Sequence, residues 1–165
     1  MGKNGRLVWI TGLSGSGKTT LARRLCDYMG NGIVYMDGDD LRKILSETTT
    51  HDMDGRKRTA KIYSRLCSYL TRQGADVVMS TISLFHDIHK NNRRNNSRYC
   101  EVFLDVDENI LKDRRKNLYF GEMDNVIGIG QEPEFPRSPT LTLSNNYACD
   151  INKNVQKIIE VLDGL

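Results

Sequence analysis

Eight consecutive residues, Gly12-Leu13-Ser14-Gly15-Ser16-Gly17-Lys18-Thr19, fit the pattern GxxxxGK[ST] in full. The pattern carries chemistry only where a buried strand turns into a helix. Arg6 to Thr11 (RLVWIT) is a compact apolar run that reads as a buried strand. From Lys18 onward, Leu21, Ala22, Leu25 and Met29 recur at helical spacing until Gly30 and Gly32 stop the helix. In such a turn the glycines let backbone N–H groups point inward at phosphate oxygens, and the helix N-terminus adds a favourable dipole. Gly12, Leu13, Ser14, Gly15, Ser16 and Gly17 are therefore the expected cradle of ATP. Lys18 is expected at the β- and γ-phosphates, the Thr19 hydroxyl on Mg²⁺ and Thr20 at the α-phosphate. A glycine turn with no ligand is the bland alternative, and the strand–loop–helix context with Lys-Thr in place weighs against it.

The same alternation continues. Ile33 to Met36 reads as a strand, Asp40 to Leu45 as a short helix, and a further helix from near Arg56 places Ile62, Leu66, Tyr69 and Leu70 on one apolar face. Ala75 to Ile82 and Tyr99 to Val106 read as strands, Glu108 to Lys116 as a helix, and Leu141 to Leu143 as a short last strand. Val155, Ile158, Ile159 and Leu162 mark an amphipathic C-terminal helix. Repeated βα units imply an α/β fold, a three-layer sandwich with a central parallel β-sheet and helices on both faces, which the phosphate loop and the kinase resemblance given below extend to a P-loop kinase sandwich. Residues 85–98, rich in charge and asparagine, get no element, and Lys90 to Arg98 reads as a solvated face. All three prolines fall between Leu118 and Thr140, a long segment without periodicity. Loops of that length are commonly lids, so residues 117–140 are the candidate substrate loop within a single domain, 1–165.

Composition excludes several classes. The 165 residues suit one core rather than two. No apolar stretch approaches the roughly 20 residues that cross a bilayer, and no signal region precedes the first strand, so a cytoplasmic location is expected. A net charge of +3 is too weak for nucleic-acid binding but suits a small polyanion. Cys26, Cys67, Cys100 and Cys149 contain no CxxC pair and read as reduced, mostly buried thiols. The expected partners are ATP and a small nucleotide, with no nucleic acid, no membrane, and a homodimer as the assembly left open.

Asp37-Gly38-Asp39-Asp40, followed by Arg42, lies at the C-terminal end of the second strand, where open α/β sheets place their ligands. A carboxylate there can neighbour Mg²⁺ and can accept the proton of an attacking hydroxyl, and both roles suit Asp37. Asp40 is expected to cap the next helix.

With these residues on view, the chain resembles the adenylylsulfate (APS) kinase family over nearly its whole length. The resemblance rests on GLSGSGKTT, MDGDDLR, Ile82-Ser83, EVFLDV from Glu101, KNLY at Lys116 to Tyr119, and NVIGIGQEPEFP from Asn125, in order and approximate spacing. It implies an enzyme that moves the γ-phosphoryl group of ATP onto the 3′-hydroxyl of a nucleotide. It also implies Asp37 as base and magnesium neighbour, Asp39, Arg42 and Arg56 as substrate contacts, and Ile82, Ser83, Lys116, Asn117, Leu118 and Tyr119 as part of the substrate pocket. Ser83 matches a serine sometimes described as a phosphorylated intermediate. Direct transfer is favoured here, because a P-loop, magnesium and a nearby acid supply what in-line displacement needs. Arg114, with Arg115 and Lys116, sits where P-loop kinases often carry lid arginines; an exposed basic helix end is the alternative.

The chain also departs from that family. Two arginines of the family's ISPYRxDR stretch are His86 and His89, and the aromatic of its NFTG loop is Val126. Stacking a base on an aromatic is worth about 1–3 kcal/mol, so adenine loses a contact. Intact transfer machinery with a rewritten acceptor pocket suggests another nucleotide. Cytidine diphosphoramidate kinases, relatives of the family, have that character, which makes cytidine 5′-diphosphoramidate the expected acceptor and adenylylsulfate the alternative. A non-catalytic nucleotide-binding regulator is the reading from another class, and intact Lys18, Thr19 and Asp37 speak against it. A GTPase lacks its guanine-reading NKxD, since Asn152-Lys153-Asn154-Val155 has no Asp.

Overall fold

The computed structural model describes residues 3–45, 52–116, 132–147 and 149–165. All six residues of β1 (Leu7–Gly12) are buried, which requires cover on both faces. β2 (Ile33–Asp37) and β3 (Asp76–Ser80) lie on one side of it, and β4 (Tyr99–Asp105) and β5 (Leu141–Ser144) on the other. The order is β2-β3-β1-β4-β5, with every pair parallel.

Successive side chains of β1 point to opposite faces. Val8 and Ile10 join a core completed by Leu21, Ala22 and Leu25 of α1 (Lys18–Met29) and by Val155, Ile158 and Leu162 of α6 (Ile151–Asp163). Leu7 and Trp9 join a second core with Ala60, Tyr63 and Cys67 of α3 (Met53–Arg72) and Ile88 of α4 (His86–Asn95). The expected α/β sandwich is therefore present. Two shorter helices, α2 (Gly38–Ile44) and α5 (Glu108–Lys116), complete it. Among the described residues, no helix is long and apolar enough to cross a membrane. Cys67 and Cys100 are buried, Cys26 and Cys149 half-buried, and all four are free.

Three local expectations need correction. Residues 86–95 form α4, and the run from Lys90 is not simply a solvated face, because Asn92 and Asn96 are buried. The inward face of α3 is not the aliphatic one: Ile62, Leu66 and Tyr69 are 38%, 36% and 55% exposed, while Ala60, Tyr63, Ser64, Cys67, Ser68 and Thr71 are buried. One seam explains both. Ser64 Oγ donates to Asn92 Oδ1 at 2.6 Å, Thr71 Oγ1 to Asn96 Oδ1 at 2.8 Å, and Asn96 Nδ2 to Ser68 Oγ at 3.1 Å. Hydroxyls of α3 thus pair with the side-chain amides of Asn92 in α4 and of Asn96 at its C-cap, which offsets much of the cost of burying these polar residues, although Asn92 Nδ2 is left without a partner among the described residues. The third correction concerns the cap of α2: Asp37, not Asp40, accepts the Asp39 amide at 2.9 Å, while Asp40 pairs with Lys43.

Candidate active site

The phosphate loop leaves β1 and enters α1. Gly15 and Gly17 hold φ of 80° and 91°, a left-handed region that glycine adopts without penalty. Gly17 is the N-cap of α1, so the helix dipole opens onto the loop. Lys18 folds back over it, its Nζ donating to the Leu13 carbonyl at 2.8 Å. Burial lowers the Lys18 ammonium to about 8, against the opposing pull of Asp39 and Asp37. A desolvated cation over this loop favours an anionic ligand such as phosphate.

Sheet register brings the second component alongside. Asp37 is abreast of Ser80, and Ser80 of Ile10, so the ends of β2, β3 and β1 form one edge. The Asp37 carboxylate is buried and takes four hydrogen bonds. Oδ2 accepts from Ser80 Oγ at 2.7 Å, Thr19 Oγ1 at 2.8 Å and Tyr35 OH at 2.9 Å, and Oδ1 accepts the Asp39 amide. Burial pushes its pKa up, but the bonds from Ser80, Thr19, the Asp39 amide and Tyr35 outweigh that and hold it below the ordinary carboxylate value. The group is a fixed anion tied to the first turn of α1.

The third component follows β3. Thr11 Oγ1 donates to the Ile82 carbonyl, and Ser83, buried and at φ 21°, lies 2.8 Å from the Thr81 hydroxyl. The segment 134–140 is fastened to this side of the molecule. The His86 amide donates to Glu134 Oε2 at 2.5 Å, and His86 Nε2 lies 2.9 Å from the Phe135 carbonyl. Arg93 Nη2 donates to the Ser138 carbonyl at 2.7 Å and to Glu101 Oε2 at 2.6 Å. His89 pairs with Glu101, which is 1% exposed. The two histidines that stand where the APS kinase pattern has arginines thus bind protein groups in this structure.

The structure brings Gly12 to Thr19 and Asp37 together as the sequence predicts, with Thr20 exposed in the first turn of α1. Asp39 is exposed and pairs with Arg42, Nη1 to Oδ1 at 3.5 Å. Arg56 is half-buried in the first turn of α3, and Lys116 lies exposed at the end of α5, 3.5 Å from Asp113. Arg114 donates to the Gly15 carbonyl at 3.2 Å, on the phosphate loop itself. Asn117, Leu118, Tyr119 and Val126 lie outside the described residues, as does most of the predicted substrate loop.

Three site residues escape the sequence reading, and a fourth, Arg115, is named there only as a lid candidate. Tyr35 is two residues before Asp37 on the same strand face, and strand periodicity could have found it. Ser80 reaches Asp37 only through strand register. Arg115 and Asn145 meet the back of the loop from 101 and 129 residues away, a contact with no local signal for Asn145 and, for Arg115, only the basic run it stands in.

Among the described residues no three His, Cys, Asp or Glu side chains converge as a metal cage. The available donors are the Thr19 hydroxyl and the Asp37 carboxylate, 2.8 Å apart. Two hard oxygens beside a phosphate cradle fit Mg²⁺, which keeps most of its shell as water and phosphate.

The chain is similar to known proteins over nearly its whole length. The family described as adenylylsulphate kinase matches residues 4–144. The cytidine diphosphoramidate kinase of Campylobacter jejuni is 34% identical, over 98% of this chain and 99% of that protein. The adenylyl-sulfate kinase of Rippkaea orientalis is 30% identical, over 100% and 95%. The APS kinase of Mycobacterium tuberculosis, solved with AMPPNP and APS, superposes with a TM-score of 0.83 at 28% identity, over 98% of this chain and 99% of that one. With the family match over residues 4–144 and relatives at 30% identity or more over nearly its whole length, the chain belongs to the adenylylsulphate kinase family of phosphotransferases.

Proposed function

We propose that this protein transfers the γ-phosphoryl group of ATP to the ribose 3′-hydroxyl of cytidine 5′-diphosphoramidate. The observation that carries the transfer reading is the Asp37 carboxylate, bonded to Thr19 of the phosphate loop and held ionised beside Lys18. In this reading the loop amides and Lys18 hold the triphosphate, while Thr19 and Asp37 hold Mg²⁺ when it is bound. The metal supplies charge neutralisation on the β- and γ-phosphates. The acceptor oxygen attacks the γ-phosphorus in line, the bond from that phosphorus to the β,γ-bridging oxygen breaks, and ADP leaves. The hydroxyl proton passes to Asp37 as the new bond forms. With its pKa held down, Asp37 serves chiefly to orient the hydroxyl and accepts the proton late. Arg42, Arg56 and the segment from Lys116 to Tyr119 bind the acceptor, and Ser83 orients groups at the end of β3 without being phosphorylated.

The acceptor assignment rests on Val126, which replaces a stacking aromatic, on His86 and His89 in place of arginines, and on likeness to the Campylobacter jejuni enzyme. Adenylylsulfate is the second reading, favoured by the 30% identical adenylyl-sulfate kinases. Four free cysteines fit a reducing, cytoplasmic setting. A coupled ADP-release assay with each acceptor decides. A higher kcat/KM for the cytidine compound is expected, and a large margin for adenylylsulfate reverses the assignment while leaving the family intact.

A further inference from the structure

Three consecutive carbonyls of the phosphate loop each receive a side-chain donor from far along the chain. Arg115 Nε donates to the Ser14 carbonyl at 3.1 Å, Arg114 Nη1 to that of Gly15 at 3.2 Å, and Asn145 Nδ2 to that of Ser16 at 2.7 Å. In a planar trans peptide the C=O of one residue and the N–H of the next point in opposite directions. A donor on the Ser14 oxygen therefore fixes the Gly15 amide, one on Gly15 the Ser16 amide, and one on Ser16 the Gly17 amide. The Ser16 amide closes the loop onto the Leu13 carbonyl at 3.1 Å. The Gly15 and Gly17 amides are left facing away from Arg115 and Asn145.

Glycine gives the loop the freedom to take this shape, and the same freedom lets its peptide planes rotate out of it. The contacts that oppose rotation are close on both sides. A Cβ on Gly17 would stand 2.3 Å from Asn145 Nδ2, and one on Gly15 would touch Arg114 and Arg115 at 3.6 and 3.7 Å. Arg115 is 4% exposed, and Arg114 is itself held by the Asn145 carbonyl at 2.8 Å and by the Tyr147 ring at 5.4 Å. The donors come from the end of α5 and from the residue after β5, which sits beside β4 next to β1. The sheet order thus delivers them to the back of the loop. A guanidinium on a carbonyl also polarises that peptide, making the next N–H a stronger donor to an anion.

We infer that Arg115 and Asn145 are positioning residues for the phosphoryl donor, holding the phosphate-loop amides in their anion-binding orientation without touching nucleotide. The inference rests on the ATP-binding reading above, and it separates the two substrates: loss of the clamp weakens ATP and spares the acceptor. Lys18 feels the same group, since the Arg115 charge contributes to lowering its pKa.

The test uses the full chain with Arg115→Ala, Arg115→Lys and Asn145→Ala, measuring Kd for ATP by calorimetry and KM for ATP and for the acceptor by ADP release. Each alanine variant is expected to raise the ATP Kd about tenfold, the worth of one hydrogen bond to a charged or buried group. Acceptor KM should stay within twofold, and Arg115→Lys should recover part of the loss. A merely structural role would not split the two substrates. If Arg115→Ala does not fold, Asn145→Ala, whose side chain is half-buried, decides. An ATP Kd within twofold of wild type in the folded variants, or a loss shared equally by the acceptor, overturns the inference. A wild-type protein that fails to bind ATP at all overturns the underlying reading, and the clamp with it.

Discussion

Asp37 divides its work between two oxygens. Oδ1 caps α2 by taking the Asp39 amide, and Oδ2 collects Thr19, Tyr35 and Ser80. A carboxylate so bonded stays ionised well below neutral pH, so activity on the acid side should not track Asp37 protonation until pH falls below the ordinary carboxylate range. Asp37→Asn keeps the size and removes the charge. Turnover should fall by about 10²-fold or more while calorimetry still shows ATP binding, and retained turnover would remove Asp37 from the mechanism. Lys18 gives the opposite sign. Its pKa in the free protein is about 8 rather than 10.5, and bound phosphates must raise it. Above pH 8, ATP binding should therefore take up a proton, and affinity should weaken as pH rises toward 10. Calorimetry at pH 8.5 in buffers of different ionisation enthalpy measures this directly; zero uptake, or release, would contradict it.

At the scale of elements, the seam between α3 and α4 shows where sequence is informative and where it is not. β1, α1 and α6 are legible because each buries a periodic aliphatic face against the sheet. The seam is not, because Ser64, Ser68 and Thr71 on one helix and Asn92 and Asn96 on the other look like solvated faces when each is read alone. Their burial becomes affordable only when the two are paired, which is a property of two distant segments. Leu66→Ala, on the outward face of α3, should change unfolding free energy by no more than about 0.5 kcal/mol. Asn96→Ala strips partners from Thr71 and Ser68 and should cost about 2 kcal/mol in urea denaturation. The reverse ranking would mean that the aliphatic stripe packs inward after all. The candidate site divides in the same way. Lys18, Thr19 and Asp37 are legible because short motifs carry their chemistry, whereas Ser80, Arg115 and Asn145 are set by register and sheet order.

Across the whole molecule, the parallel order β2-β3-β1-β4-β5 makes a nucleotide machine from these parts. It sets the acid end of β2 and the hydroxyl end of β3 on one side of the phosphate loop, and the donors of α5 and Asn145 on the other. Glu101 of β4, through Arg93 and His89, ties the sheet to α4 and to the segment at Ser138. That packing uses His89, and His86 contacts Glu134 and Phe135 of the neighbouring segment; both replace arginines of the APS kinase pattern, which is why the acceptor is read as different while the transfer chemistry is kept. The direct measurement is ³¹P NMR of the purified protein turning over ATP, Mg²⁺ and cytidine 5′-diphosphoramidate. A new phosphomonoester signal coupled to the ribose H3′, formed in step with ADP, is predicted. ADP accompanied only by free inorganic phosphate, or no ADP with either nucleotide acceptor, would contradict it.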